Sequence, residues 1–168
     1  LRKLFPNSRL WGNYHLFSQR AEPVEVDAMS GACLMIHKKL FKKIGMFGTE
    51  YFMYSEDIDL CYKVKSAGYQ NYFVPNATVV HHGGVSSDQV ESSTFSAVMM
   101  LESRLRFFRK HNSVCYSHLY RFAILTSSLI RIILLTVQIP IYSLAGNRHA
   151  LNNKLIKWIA RLKWCFGY

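Results

Sequence analysis

The most informative part of this chain is residues 51–63, which read Tyr51-Phe52-Met53-Tyr54-Ser55-Glu56-Asp57-Ile58-Asp59-Leu60-Cys61-Tyr62-Lys63. An aromatic run ends there at an acidic turn, and a helical spacing of apolar residues begins at Leu60 and Val64. Ser55 is a favourable N-cap residue and Gly68 a favourable helix stop, so we predict a helix over roughly residues 56–67. Carboxylates at an element boundary often serve a functional site, but they also complement the positive end of a helix dipole. Taken alone, the stretch favours the structural explanation.

Shorter motifs flank this acidic turn in a defined order. They are Val24-Glu25-Val26-Asp27, Ser30-Gly31-Ala32-Cys33-Leu34-Met35-Ile36, Lys38-Lys39 and Ile44-Gly45-Met46-Phe47 upstream, and Ala67-Gly68-Tyr69, Pro75-Asn76-Ala77 and His81-His82-Gly83-Gly84-Val85-Ser86 downstream. With these motifs, residues 20–112 resemble the C-terminal half of the catalytic domain of family 2 glycosyltransferases, and look most like the rhamnosyltransferase-like branch. The resemblance implies an α/β fold, the C-terminal half of a GT-A (nucleotide-diphospho-sugar transferase) domain, followed by apolar and amphipathic helices.

The resemblance assigns catalytic roles to the two carboxylates of the acidic turn. Inverting sugar transfer needs a base for the acceptor hydroxyl and positive charge for the leaving diphosphate. In the family, the base is the aspartate of a Glu-Asp pair that opens a helix, which here is Asp57. Glu56 beside it would orient the acceptor or tune the pair electrostatically, since adjacent carboxylates raise each other's proton affinity. Asp57-Ile58-Asp59 also reads as a metal-binding DxD string, but helix residues two apart point about 200° away from each other and could not share one ion. Asp59 lies four residues before Lys63, so we predict a structural ion pair between them.

The resemblance also names residues outside the acidic turn. Asp27, Gly31 and Ala32 match a segment that lines the sugar and acceptor cleft, although a turn-capping role for Asp27 fits equally well. His81 matches a ligand of the divalent metal, Mn²⁺ or Mg²⁺, on the donor diphosphate, and a hydrogen-bonded structural histidine is the alternative. Strand alternation would turn His82 to the opposite face, so His82 is not expected to bind the same ion.

The pattern along the chain predicts the remaining elements. We expect loops and short strands over residues 1–23, strands at 24–27, 32–36 (buried), 71–74 and 78–80, a short basic helix or turn at 37–44, a turn at Pro75-Asn76 and a helix over 91–111. In that last helix, Val98, Leu101, Leu105 and Phe108 share one stripe. Cys33 and Cys61 are expected to be small buried hydrophobic residues, which points to a reducing cytosolic compartment.

Charge divides the chain unevenly. The formal net charge is +11, all ten acidic residues lie between Glu22 and Glu102, and the chain from Ser103 onward is basic and apolar. This composition suits a segment that faces anionic lipid or phosphate. We therefore divide the chain into residues 1–112, the C-terminal part of the catalytic domain, and residues 113–168, a basic membrane-associated tail.

The tail contains one long apolar segment. Residues 122–146 carry a single charge, Arg131. A membrane span needs about 20 apolar residues, but a central arginine costs several kcal/mol, so interfacial or re-entrant packing fits at least as well. The tail then ends in the pattern of a basic amphipathic helix that lies on a membrane. A pair of helices buried in protein is the alternative.

The family resemblance implies a glycosyltransferase, and the basic apolar tail places it at the cytoplasmic face of the membrane. It would transfer a sugar from a nucleotide-diphosphate sugar to a glycan or lipid-linked acceptor in surface polysaccharide synthesis. The family's upstream metal-binding DxD motif and nucleotide-binding half are not found in these 168 residues, so we expect a fragment that is inactive alone. The alternative is a non-catalytic membrane-surface binding protein. Nucleic-acid binding would rest on charge alone, because no recognition motif appears, and is not expected.

Overall fold

The observed helices and strands occur in the predicted order, but two of the predicted strands do not form. The computed structural model describes residues 22–81, 90–140 and 148–167, of which residues 90–93 are described by their backbone alone. The elements are β1 (Val24–Val26), α1 (Lys38–Lys43), α2 (Glu56–Ser66), β2 (Asn71–Phe73), α3 (Val90–His111), α4 (Val114–Val137) and α5 (Arg148–Cys165). They fall into two compact units, one of residues 22–46 and 60–81 and one of residues 47–59 and the described residues from 90 onward. The predictions for residues 1–21, His82 and the glycines after it lie outside the described residues.

The first unit is built on a short antiparallel ladder. Strands β1 and β2 pair with Val24 opposite Phe73 and Val26 opposite Asn71, which confirms both predicted strands. The buried Asn71 amide donates to the carbonyl oxygens of Asp27 (3.3 Å) and Cys61 (3.0 Å), so it ties the ladder to α2. Because a buried polar group must be paired, this side chain helps to fix the position of β2 against the helix.

Two other predicted strands in this unit are wrong. Residues 32–36 are irregular and mostly exposed, with Met35 97 % exposed, and residues 78–80 are also irregular, with Val80 84 % exposed. The sheet of the described residues has two strands only, so these apolar stretches have no ladder to join. Cys33 is accordingly exposed, against prediction, whereas Cys61 is buried as predicted.

Of the two alternatives predicted for this basic segment, a short helix or a turn, the structure has the helix, α1. His37 caps its N-terminus by accepting a hydrogen bond from the Lys39 amide at 3.2 Å, and Ile44 ends the helix. Gly45 follows with φ of +83°, a conformation that glycine adopts without a steric penalty.

The second unit packs three helices around an aromatic core. Leu101 and Leu105 of α3 are buried with Trp164 of α5, as the predicted stripe requires. Helix α5 runs antiparallel to α4, since Arg121 contacts Cys165 and the Arg131 guanidinium lies 5.7 Å from the Trp158 ring. Full burial of a leucine or a similar side chain contributes about 1.5–3 kcal/mol, so this core joins the tail helices to α3.

The outer face of α4 is apolar and exposed. It includes Phe122, Ile130, Ile133 and Val137. Among the described residues, α4 alone is long and apolar enough to cross a membrane by length and composition, and only 6 % of its apolar window is buried. Residues 122–137 of the predicted apolar segment are therefore helical, while residues 141–146 lie outside the described part of the chain.

Candidate active site

The acidic turn begins with an unusual backbone. Tyr54 and Ser55 both have positive φ angles, +66° and +64°, immediately before α2. A non-glycine residue in this left-handed region costs on the order of 1–3 kcal/mol, and such residues concentrate at functional sites. Ser55 is buried, and its carbonyl oxygen accepts the Asp59 amide at 2.9 Å. The two residues turn the chain sharply, so that the first helical turn starts at Glu56.

Glu56 and Asp57 lie side by side in this first turn, as predicted. Both are partly buried, and the Oδ1 atom of Asp57 accepts the amide of Ile58 at 2.8 Å. The Oε2 atom of Glu56 is buried and has no hydrogen-bond partner among the described residues. A buried carboxylate oxygen without a donor is costly, so this atom is suited to accept a hydrogen bond from a bound hydroxyl.

Asp59 does not form the predicted pair with Lys63. It is completely buried and accepts hydrogen bonds from the Tyr51 hydroxyl (3.2 Å) and the Lys110 ammonium (3.1 Å), while His111 Nε2 lies 2.6 Å from its Oδ1 atom. The Lys63 ammonium donates instead to the carbonyl oxygen of Met46. The prediction used local helix spacing, but the last turn of α3 supplies closer donors. The structural role predicted for Asp59 agrees with this network.

Lys110 is the central cation of this network. Its ammonium also pairs with Glu50 at 2.5 Å. Burial lowers the pKa of Lys110, but the hydrogen bonds to Glu50 and Asp59 outweigh this effect, so the pKa is raised overall. The same bond from Lys110 lowers the pKa of Glu50. Burial, followed by the charge of Asp59, raises the pKa of Tyr51 well above its usual range, so Tyr51 stays a neutral donor.

Two further side chains of α3 fix the loop that precedes α2. The Ser103 hydroxyl donates to the carbonyl oxygen of Met53, and the Arg106 guanidinium donates to that of Glu50 at 2.7 Å. Together with the Asp59 network, they hold both ends of residues 50–59 against one helix. Sequence analysis missed these four supporting residues of α3, because nothing in their local spacing relates them to a turn about 50 residues earlier.

The other predicted site residues belong to the strand-containing unit. Asp27 is exposed, and its Oδ1 atom is 2.6 Å from the Lys65 ammonium. Gly31 and Ala32 lie in an exposed turn, in which the Ala32 amide donates to the Ser30 hydroxyl at 3.3 Å. The predicted turn is therefore present, and its role in binding sugar or acceptor stays a prediction.

Comparison with known proteins identifies the family. The sequence profile described as "Glycosyltransferase like family 2" matches residues 13–104, which is more than half of the chain and includes the whole acidic turn. The chain belongs to glycosyltransferase family 2. Members of this family have the GT-A nucleotide-sugar transferase fold, and the mixture of helices and a small sheet described above agrees with that class.

Three relatives of this family 2 chain are named as rhamnosyl- or hexosyltransferases. It is 38% identical over 81 residues to the N-acetylglucosaminyl-diphospho-decaprenol L-rhamnosyltransferase of Mycobacterium tuberculosis, covering 47% of this chain and 26% of the relative. It is 35% identical over 57 residues to rhamnosyltransferase WbbL of Escherichia coli, covering 34% and 22%. It is 31% identical over 68 residues to the low-salt glycan biosynthesis hexosyltransferase Agl10 of Haloferax volcanii, covering 40% and 22%. The matched part is thus about a quarter of these relatives' length. No solved structure matches the chain.

Family 2 enzymes generally use a divalent metal, so we tested whether the described residues could hold one. His81 is exposed and lies in irregular chain, not at the end of a strand. Within the described residues, no group of three or more histidine, cysteine, aspartate or glutamate side chains is arranged so that it could hold a metal ion. The described part of the chain therefore does not build a metal centre by itself. Because residues 78–81 are not a strand, the alternation that separated His81 from His82 does not apply.

Proposed function

We propose that this family 2 chain acts in the inverting transfer of a sugar from a nucleotide-diphosphate sugar to a glycan or lipid-linked acceptor in surface polysaccharide synthesis. The single observation that carries the proposal is the family match across the acidic turn, where Glu56 and Asp57 open α2. In this proposal residues 1–112 form the C-terminal part of a GT-A domain, and residues 113–168 associate with the cytoplasmic face of a membrane.

Asp57 is the proposed general base. Its carboxylate would take the proton of the acceptor hydroxyl while the hydroxyl oxygen forms a bond to the anomeric carbon. The bond from that carbon to the nucleotide diphosphate breaks on the opposite face, and the diphosphate leaves with the electron pair. The sugar is thereby transferred with inversion of its anomeric configuration.

Glu56 and the α3 network have supporting roles in this proposal. The buried Oε2 atom of Glu56 has no donor among the described residues and would accept a hydrogen bond from the bound acceptor. The Asp59 network holds the first turn of α2 in place, which limits the motion of the base. His81 remains the ligand that the family resemblance proposes for Mn²⁺ or Mg²⁺, and no step above depends on it.

The test is the Asp57→Asn variant of the complete enzyme. Asparagine cannot accept the proton, so turnover should fall by on the order of 10² or more, with little change in stability. A nucleotide-activated rhamnose is the first donor to use, because two relatives are named rhamnosyltransferases. Glu56→Gln is the matched control and should reduce turnover less. Near-normal turnover of Asp57→Asn would remove the assignment.

The exposed face of α4 favours a second candidate, a non-catalytic membrane-surface binding protein. In that case the acidic turn would serve only as a helix start. Binding to vesicles without any transfer from nucleotide sugars would support this candidate over the first.

A further inference from the structure

A basic cavity lies between α3 and α4, apart from the acidic turn. Its volume is about 320 Å³, and its walls are Leu105, Arg109, Val114, Ser117, His118 and Arg121. The size is at the lower end of small-molecule sites, which range over about 300–1,000 Å³. Two arginines and a histidine line the cavity and no carboxylate does, so its chemistry suits an anion.

Ser117 gives independent evidence that a ligand belongs there. Its side chain is 96% buried, being only 4% exposed, and its hydroxyl has no hydrogen-bond partner among the described residues. Three other hydroxyl side chains of α4 behave in the ordinary way. Thr126, Ser128 and Thr136 each donate to a main-chain carbonyl one turn earlier. Ser117 differs from these three, and it is the one of the four that lines the cavity.

Arg121 points to the same conclusion. Its guanidinium lies 5.4 Å from the Trp164 ring, which orients the group, and its buried Nε atom has no hydrogen-bond partner among the described residues. Ser117 also sits in the first turn of a 24-residue helix, where the helix dipole favours negative charge. An unpaired hydroxyl, an unpaired guanidinium nitrogen and a helix N-terminus at one cavity form the donor set that phosphate oxygens require.

We propose that this cavity binds a phosphate or diphosphate group, with Ser117 and Arg121 as its donors. Because α4 continues from the cavity as an exposed apolar helix, the fitting source is a lipid diphosphate whose hydrocarbon chain follows that helix. This assignment of the lipid rests on the proposed function, in which such a lipid carries the acceptor. Free diphosphate shares the same head-group chemistry, so the two sources are compared directly.

The test is calorimetric titration of the whole chain with inorganic pyrophosphate and with farnesyl diphosphate. Loss of one charge-assisted donor should weaken pyrophosphate binding by about tenfold or more in Arg121→Ala and by about threefold or more in Ser117→Ala. Ser117→Ala should not lower the thermal midpoint, because its hydroxyl has no partner to lose. Farnesyl diphosphate should bind more tightly than pyrophosphate; equal affinities would reject the lipid and assign the cavity to free diphosphate.

Two matched variants test whether a loss of binding is specific to Ser117 and Arg121. Ser128→Ala removes a buried hydroxyl of the same helix that is bonded at 2.7 Å, so it should lower stability and leave binding unchanged. Arg131→Ala removes a second arginine of α4 that lies beside a tryptophan ring, and it should also leave binding unchanged. Unchanged pyrophosphate affinity in Ser117→Ala and Arg121→Ala, or an equal loss in Arg131→Ala, would overturn the proposal. Nucleotide sugar is absent from these titrations, so they fail or succeed independently of the transferase assay.

Discussion

Replacing Asp59 with asparagine should destabilise the helical unit strongly. The carboxylate is completely buried and accepts from Tyr51, Lys110 and His111. Removing one partner of a buried ion pair costs about 3–5 kcal/mol. The Lys110 side chain is 34% exposed, so water can compensate part of this loss. Asparagine also keeps one acceptor oxygen, and we therefore expect a loss of about 2–4 kcal/mol in the free energy of unfolding.

Urea unfolding followed by circular dichroism at 25 °C would measure this loss, and double-mutant cycles would assign it. Asp59→Asn combined with Lys110→Met should show a coupling energy of about 1 kcal/mol or more, because the two side chains are in contact. Asp59→Asn combined with Lys63→Met should be additive to within about 0.5 kcal/mol. Coupling of Asp59 to Lys63 in place of Lys110 would refute the network and support the ion pair between Asp59 and Lys63 within α2. An Asp59→Asn variant as stable as the parent would refute the buried ion pair itself.

Three further predictions test other parts of the molecule. In urea titrations between about pH 5 and pH 3, Glu50→Gln should lose less stability than the parent as the pH falls. The folded pKa of Glu50 lies below 4.5, so the parent loses the contribution of Glu50 to its free energy of unfolding as the pH falls through that lowered value. An unchanged pH profile would contradict this. His81→Ala should raise the Mn²⁺ concentration needed for half-maximal turnover of the complete enzyme, and an unaltered requirement would remove His81 as a ligand. The Ile130→Gln/Ile133→Gln variant should float less with anionic vesicles than the parent. The control Met35→Gln changes a residue of the other unit that is even more exposed, 97% against 58% and 60%, and it should float like the parent. Equal flotation of all three proteins would exclude the outer face of α4 as the membrane contact.

The elements that could be predicted from the sequence are those with local signals. Helices α1, α2 and α3 show helical spacing and end signals in their own residues, and the α3 stripe of Leu101 and Leu105 is the observed core. The apolar runs at 32–36 and 78–80 failed as strands because a strand also needs a neighbour, which its own residues do not specify. The position of the turn with Glu56 and Asp57 at the start of α2 could be predicted, because the Glu-Asp pair and the apolar spacing after it lie in the same short stretch of sequence.

The support of that turn could not be predicted, because its partners are distant in sequence. The rule for helix pairs assigned Asp59 to Lys63, four residues later, whereas the observed cation, Lys110, is 51 residues later. Ion pairs between residues four apart on an exposed helix surface contribute only about 0.2–0.5 kcal/mol each, so this spacing is a weak guide to the partner of a buried carboxylate. A buried carboxylate is matched to whichever donors the tertiary fold brings to it, and here those donors are on α3.

The position of α3 also determines how the tail can be studied. Helix α3 contacts the acidic-turn segment through Ser103, Lys110 and His111. It also contacts α5, where Trp164 packs on Leu105 and donates to Glu102 at 3.1 Å. Deleting the tail at residue 112 would therefore expose leucines that contribute about 1.5–3 kcal/mol each, and would loosen the helix that holds the turn. Lost turnover after such a deletion would not demonstrate a membrane role, whereas substitutions on the exposed face of α4 change the membrane contact and leave this core intact.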